Sequence, residues 1–353
     1  MLSFKRLWLA LAALVPLSLA LPAGPVRAAD GDEKEEADAP GTYTLRIRTA
    51  VPRKSPWGEL LTNVATRIKN DSKGADGKER INIKIYWQVK SEAAAVRACT
   101  DGKAGGIAVS LGALASSVPE MEATEIPYLF DNYAQADKAM KAAEPLIAEI
   151  LKSKGFIFAV RGENGFRQWA SKTSFLTTPA AFKGRAMRSQ PANVHKEMYR
   201  LLGATPNPLQ ISDVPTSLTN NVVDGYDNTL LFARLANWAD AVTYVTLSNH
   251  IYQGAVIAWC KPWFDTLPPD LQAAITKRDA QTATLEKTGL DLVRVFNDKL
   301  MPEQYKKSGK QFKELTPAER AAFKTALAGV ETSFRKSASP KGVELLDLLK
   351  RSR

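Results

Sequence analysis

Arg188 closes a short run, Arg185-Ala186-Met187-Arg188, just ahead of the break marked by Pro191. Asn228 holds a similar place in Gly225-Tyr226-Asp227-Asn228, where a second extended run passes into a turn. Side chains so placed would face a cleft. An arginine there can fork two parallel hydrogen bonds onto one carboxylate, a geometry that lysine cannot reproduce. The chemistry on offer is recognition of an organic acid. Arg167, in Gly165-Phe166-Arg167-Gln168-Trp169-Ala170, supplies a second guanidinium. Taken alone, Arg188 serves equally well as a structural arginine paired with an internal carboxylate, and Arg167 and Asn228 share that ambiguity. Trp87, Trp169, Tyr226, Phe232 and Trp238 either wall a pocket or belong to ordinary core.

Catalysis has little to work with. The chain contains no G-x-S-x-G elbow, H-E-x-x-H pair, P-loop or dinucleotide-binding glycine fingerprint. Its two histidines read as a helix-surface residue, His195, and a hydrogen-bonded structural residue between two strands, His250. The two cysteines, Cys99 and Cys260, have no metal-ligand spacing, and no metal or other cofactor is expected. An oxidising compartment permits one bridge between them. Two buried free thiols are the expectation, because sequence cannot supply the Cα separation that a bridge requires.

The elements that must position these residues alternate between β-like runs and helical periods, the pattern of an α/β protein. Residues 43–51 read as a strand with Leu45, Ile47 and Thr49 on one face, and 57–70 as a helix with Leu60, Leu61, Val64 and Ile68 at helical spacing. Residues 81–87 alternate cleanly. Ser91 then opens a helix with Glu92 in its first turn, and 106–111 is another strand. This β-α-β repetition implies parallel strands with a ligand crevice at their carboxyl ends. A helix over 133–154 stops at Gly155, and separate strands are expected at 156–160, 165–170, 185–188, around Leu209, at 242–247 and at 251–259. A helix over 192–202 stops at Gly203, and Asp213 is placed to cap a short helix carrying Val214 and Leu218. Pro268 opens a long helix through about Val295, and Thr316-Pro317-Ala318-Glu319 matches a capping box.

The chain of 353 residues begins with Lys5 and Arg6, an apolar run broken by Pro16 and Pro22, and small residues around Ala28. That is the form of a cleaved signal peptide over 1–28, which places the mature protein in the periplasm. Residues 29–42, which include Asp30-Gly31-Asp32-Glu33-Lys34-Glu35-Glu36, offer little to bury and read as a flexible leader. The remainder exceeds the ~250–300 residues over which one core keeps growing, so two lobes are expected. The net charge of +11 comes from scattered lysines on helical segments and not from a dense basic run, so nucleic acid is not an expected partner.

From Lys183 to Asn228 the sequence resembles the solute-binding proteins of tripartite ATP-independent periplasmic (TRAP) transporters, the DctP-type family. Phe182-Lys183-Gly184-Arg185-Ala186-Met187-Arg188 is similar to its L-K-G-x-x-apolar-Arg motif. Leu202-Gly203-Ala204-Thr205-Pro206-Asn207-Pro208 matches L-G-A-x-P-x-P, and Val223-Asp224-Gly225-Tyr226-Asp227-Asn228-Thr229 resembles V-D-G-x-E-N-P. Weaker agreement, at Pro127-Tyr128-Leu129-Phe130, His250 and Trp263 with Leu267-Pro268, extends the likeness over about residues 43–280.

The resemblance implies two α/β lobes joined by a hinge, with a long helix packed across both, closing over a ligand. It implies lobe I at 43–163 plus 253–292 and lobe II at 164–252 plus 293–353. It also implies that Arg188 holds a ligand carboxylate, assisted by Asn228 and Arg167. Trp169 and Asp213 complete the candidate ligand contacts, with no catalytic residue. The function implied is a receptor that delivers a small organic acid to the membrane permease subunits of a TRAP transporter. A sensor module for a signalling receptor and a periplasmic enzyme are the alternatives. Asp213 and Pro215 stand where the family has E-x-Y, Asn221 where it has glycine, and Asp227-Asn228-Thr229 where it has E-N-P. Near Trp87 its P-x-G-x-L-G turn is not recognisable.

Overall fold

The computed structural model describes residues 38–353. The expected signal peptide and most of the expected leader lie outside them. Of the leader, Asp38 accepts the backbone N–H of Thr44 at 2.9 Å, so its last residues are tied to the first strand and not free.

Among the described residues nine strands form one sheet: β1 (Tyr43–Thr49), β2 (Ile81–Tyr86), β3 (Gly106–Ser110), β4 (Phe156–Ser171), β5 (Ala186–Ser189), β6 (Thr205–Pro208), β7 (Gly225–Asn228), β8 (Tyr244–Cys260) and β9 (Gln311–Glu314). The longer helices are α1 (Pro56–Asp71), α2 (Glu92–Thr100), α3 (Tyr133–Ser153), α4 (Asn193–Leu201), α5 (Pro269–Thr276), α6 (Ala280–Val295), α7 (Pro317–Ser337) and α8 (Pro340–Ser352). The strand order is β2-β1-β3-β8-β4-β7-β5-β6, with β9 added beside β8.

The first half follows directly from sequence. Leu45, Ile47 and Thr49 are buried on one face of β1, and Ser55 caps α1 by accepting the N–H of Gly58 at 3.0 Å. Ser91 caps α2 in the same way through Ala94. β2, β1 and β3 run parallel, so their carboxyl ends share one edge. In the second half β6, β5 and β7 are again parallel.

Two long antiparallel strands join the halves, where four shorter ones were expected. The inner stretches 156–162 of β4 and 255–260 of β8 pair with each other beside β3, while 168–171 of β4 pairs with β7. Irregular register keeps each strand continuous. Gly165, at φ +96°, absorbs the shift after Glu163, a backbone conformation that costs glycine little. Residues 247–250 of β8 bulge out opposite Arg167–Trp169, with Asn249 left-handed at φ 45°. Gln168 stitches this bulge by accepting from the N–H groups of Ser248 and Asn249 at 2.8 and 3.0 Å. The polar residues that read as turns are thus satisfied inside the ladder.

The helix expected from Pro268 is broken at Lys277, and Asp279 caps a new helix, α6, by accepting the N–H of Thr282 at 3.0 Å. α6 continues through a π turn at Phe296–Leu300 into Met301–Lys307. This run carries Leu285 to the core around Leu45 and Ile47, and Met301 and Tyr305 to the core around Val214, Leu218 and Trp238. It is the long helix that crosses both halves. Arg294 fastens it, donating to Glu163 of β4 and to Asp137 of α3 at 2.7 to 2.8 Å. The capping box at Thr316 and Glu319 forms in both directions. α8 packs on α3 and on the short helix Pro119–Glu125, elements of the first half, although the expected division assigns it to the second.

Cys99, in the last turn of α2, is disulfide-bonded to Cys260 at the end of β8, with Cα atoms 5.2 Å apart. The expectation of two free thiols is corrected. Their approach is made by the β3–β8 pairing across 161 residues of sequence, a proximity that spacing along the chain does not report.

Candidate functional site

A cavity of about 150 Å³ opens where the carboxyl ends of the parallel strands from the two halves meet. The first half contributes Glu92, at the start of α2, with Gly112, Ser116 and Glu122. The second contributes Arg188 from β5, Asn228 from β7, and the segments around Gln190 and Leu209. Phe232 and Trp238 add aromatic wall, and Arg167, Asn164 and Gln253 form the floor between the halves. Gly112 must be glycine for this packing, since a Cβ there would stand 2.5 Å from the Glu125 carboxylate and 2.6 Å from the Gln190 amide.

Arg188 is only 4% exposed, yet it forms no ion pair among the described residues. One terminal nitrogen donates to the Leu209 carbonyl at 3.1 Å, and the guanidinium lies 4.7 Å from the Trp238 ring centroid. Its Nε is buried without a partner. Burial, reinforced by the neighbouring Arg167 charge, pulls its pKa down to about 10, so the group stays cationic at neutral pH. A desolvated, protonated guanidinium with idle donors facing open space is poised to take an anion.

Arg167 is arranged in the opposite way. Its Nε donates to Asp227 Oδ2 at 2.5 Å, one terminal nitrogen to the Asp227 carbonyl at 2.5 Å, and the other to Gln253 Oε1 at 2.8 Å. Both partners of the pair are essentially buried. Asp227 also accepts from Tyr199 at 2.9 Å, and despite burial the Arg167 and histidine neighbours hold its carboxyl well below the usual range. Arg167 reaches the cavity wall with its charge already matched.

Asn228 points into the cavity wall with its amide oriented by its own chain. Its Oδ1 accepts the N–H of Thr229 at 2.8 Å, and its amide nitrogen has no partner among the described residues. Proline in place of Thr229 would lack that N–H. Thr229 also caps the helix Leu230–Leu235 through Phe232.

Two expected contacts lie elsewhere. Trp169 is fully buried two residues further along β4, stacked on His250 at 4.3 Å and covered by Phe182 and Phe323. Asp213 is exposed, accepts from Ser212, and makes no side-chain cap; its neighbours Leu209, Gln210 and Ile211 line the cavity instead. Of the candidate aromatic walls, Trp87 and Tyr226 also pack away from the cavity. His195, read as a surface residue, is fully buried and hydrogen-bonds through Nε2 to Glu125 at 2.5 Å. Helical period had placed it beside Met198 and Tyr199, so the inward face was readable. Neither histidine lines the cavity.

Residues missed from sequence are Glu92, Glu122, Gln190 and Gln253. Gln253 carried a signal, as a polar residue inside the otherwise apolar run 251–259. In the sequence Glu92 stands out only as an acidic first-turn residue. It is held by Ser110, whose N–H and hydroxyl donate to Oε1 and Oε2 at 2.7 and 3.0 Å. Burial pushes its carboxyl up, against those two bonds. Among the described residues no cluster of histidine, cysteine and acidic side chains could hold a metal ion.

The model of the bacterial extracellular solute-binding proteins, family 7 (DctP), matches residues 47–337. The chain belongs to this DctP family. A solute-binding protein of Verminephrobacter eiseniae is 28% identical over 72% of this chain and 76% of its own length. The C4-dicarboxylate-binding protein DctB of Bacillus subtilis is 25% identical over 87% of each chain. Among solved structures, the sugar acid binding protein DctPAm of Advenella mimigardefordensis, in complex with galactonate, superposes with a TM-score of 0.79 at 24% identity. That match covers 88% of this chain and 99% of the other. The two-lobed α/β architecture is therefore that of DctP-type solute-binding proteins of TRAP transporters. Two departures from the family pattern have local reasons. Asn221 stands in place of glycine at φ 59°, a left-handed position that asparagine tolerates, and Lys172 donates to its side chain. Gln88 adopts φ 54° where the glycine turn near Trp87 was not recognisable.

Proposed function

We propose that this chain is an extracytoplasmic receptor that binds a small organic acid between its lobes and delivers it to the membrane subunits of a TRAP transporter. The observation that carries this reading is Arg188: buried, cationic, unpaired, and facing the cavity. Its fork takes the carboxylate, the Asn228 amide donates a further hydrogen bond, and the Trp238 face supports the guanidinium. Arg167 positions Asn228 and Gln253 and is itself compensated by Asp227. The lobes divide at Glu163–Gly165 in β4 and near Gln253 in β8, and closure would desolvate the ion pair and strengthen it.

Relatives named for C4-dicarboxylates and sugar acids support an acid as ligand. The Cys99–Cys260 bridge supports export to an oxidising compartment, with residues 1–28 as the cleaved signal. Among the described residues no helix is long and apolar enough to cross a membrane.

A thermal-shift screen over organic acids, followed by calorimetry on the stabilising ones, tests the function. Arg188→Ala should weaken binding by about 2–5 kcal/mol, because the ligand carboxylate is left buried without its partner. Arg188→Lys should lose much of the affinity despite keeping the charge, since the forked geometry goes. Unchanged affinity in Arg188→Ala would overturn the assignment.

A further inference from the structure

The cavity of this acid receptor is itself rich in acid. Glu92 and Glu122 both line it, and Glu125 and Asp227 stand directly behind its floor. Against these, Arg188 is the one arginine of the lining without a carboxylate partner among the described residues, because Arg167 is matched by Asp227. Glu122 is occupied by the start of α4, accepting the N–H groups of Asn193 and Val194 at 2.9 and 3.1 Å. Glu125 is engaged by Gly112 and His195. Among the described residues Glu92 accepts from Ser110 alone, and its two bonds come from one residue behind it.

Glu92 and Arg188 attract each other electrostatically, yet they form no salt bridge. They stand apart in the wall of one cavity, one on each half of the molecule. An acid seated on Arg188 therefore has Glu92 available to the remainder of its structure. A carboxylate has acceptors and no donors, so what it can recognise is an N–H or O–H group. Burial is the largest influence on Glu92 and pushes its carboxyl up, and the two bonds from Ser110 and the Arg188 charge oppose it, so a donor supplied by the ligand adds to what holds the carboxylate. A second ligand carboxylate would be brought toward the carboxyl groups of Glu92 and Glu122, and among the described residues the lining holds no second unpaired guanidinium to receive it.

We infer that Glu92 is a specificity-determining residue, selecting acids that carry a hydroxyl or ammonium group remote from the carboxylate and rejecting dicarboxylates. This rests on the reading that Arg188 holds the ligand carboxylate. Hydroxyl and ammonium share the required donor, and the ammonium adds opposite charge in a desolvated site. The selectivity needs no displacement of Ser110, since each carboxylate oxygen has a further lone pair to offer.

The test is calorimetry on matched acids that differ only at the far end: butanoate, 4-hydroxybutanoate, 4-aminobutanoate and succinate, their homologues of neighbouring length, and gluconate against glucarate. In the natural protein the best donor-bearing acid should bind about tenfold or more tightly than the dicarboxylate of the same length. Glu92→Gln should narrow or invert that ratio, with the ammonium acid losing more than the hydroxy acid. Glu92→Asp, which keeps the charge but withdraws it by one methylene, should fall between. A dicarboxylate binding tightest to the natural protein overturns the inference, as does a ratio that neither variant moves. If Glu92→Gln fails to fold, the natural ratio and Glu92→Asp decide. Arg188→Ala separates the two readings. Acids that bind and lose affinity in that variant, with a ratio indifferent to Glu92, remove only the Glu92 assignment. Absence of binding by every acid in the set removes the receptor reading and this inference with it.

Discussion

Two arginines of one cavity differ in what they lack. Arg167 is saturated by Asp227, Gln253 and a backbone carbonyl, whereas Arg188 keeps a buried Nε idle. Their contributions to stability should differ in sign. Arg167→Ala leaves Asp227 charged and buried, and unfolding by urea should show a loss of about 3–5 kcal/mol. Arg188→Ala removes a desolvated cation that has no counter-ion, so the ligand-free protein should be no less stable, or slightly more so, in the same measurement. A large loss in Arg188→Ala without ligand would mean that the arginine is structural. Sequence marked both arginines and Asn228, and apart from the family resemblance it did not tell the two arginines apart. Asp227 reaches Arg167 from β7, 60 residues away, and only the sheet brings them together.

At the scale of elements, α2 carries Glu92 at its first turn and Cys99 at its last. The Cys99–Cys260 bridge therefore fixes that helix to the end of β8, the strand that also carries Gln253. It closes a loop spanning 161 positions, for which the chain-entropy model gives about 5 kcal/mol, with measured bridges commonly at 2–4. The double variant Cys99→Ala/Cys260→Ala should lose about 2–5 kcal/mol in chemical denaturation and become insensitive to added reductant. Strand and helix positions in the first half were legible because each segment has one wet face, which makes the period visible: β1 and α1 fall within two residues of expectation. β4 and β8 were split in the reading because they are buried along most of their length and carry polar groups that neighbouring side chains satisfy. Gln168 at the β8 bulge and Arg294 beside Glu163 are what make these long strands tenable.

Across the whole molecule, a buried polar layer is sealed between the halves behind the floor of the cavity: Glu125 meets His195, and His195, Arg167 and His250 each meet Asp227. Burial pushes the His250 pKa from 6.5 down to about 4, against the attraction of Asp227. A histidine held below its unfolded value contributes stability that is complete above pH 6.5 and is lost as pH falls toward 4, because the unfolded chain takes up the proton first. The loss at pH 4 from this group is about 3 kcal/mol. Denaturation across pH 7 to 4 should show the natural protein losing that much more than His250→Asn. Equal slopes in the two proteins would show that the His250 pKa is the same in the folded and unfolded states, and would overturn the burial argument. Asp227, held low, adds a loss of the same sign at more acid pH. Glu92 and Glu122, held high by burial, act in the opposite direction, so the histidine variant is needed to isolate the effect.

By itself the sequence determined the class of fold, the repeated β-α-β order, and the two residues, Arg188 and Asn228, at strand ends that open on the cavity. These depend on local periodicity, on caps, and on motifs within one stretch of chain, all of which survive when the sequence is read as a line. Tertiary structure decided which cation is free, that Cys99 and Cys260 are bridged, that Trp169 is core and Asp213 is exposed, and that Glu92 faces the same cavity as Arg188. Each of these depends on groups distant in sequence meeting across the β3–β8, β4–β8 and β4–β7 pairings. Whether a buried charge is matched depends on its neighbours in space, and those pairings choose them.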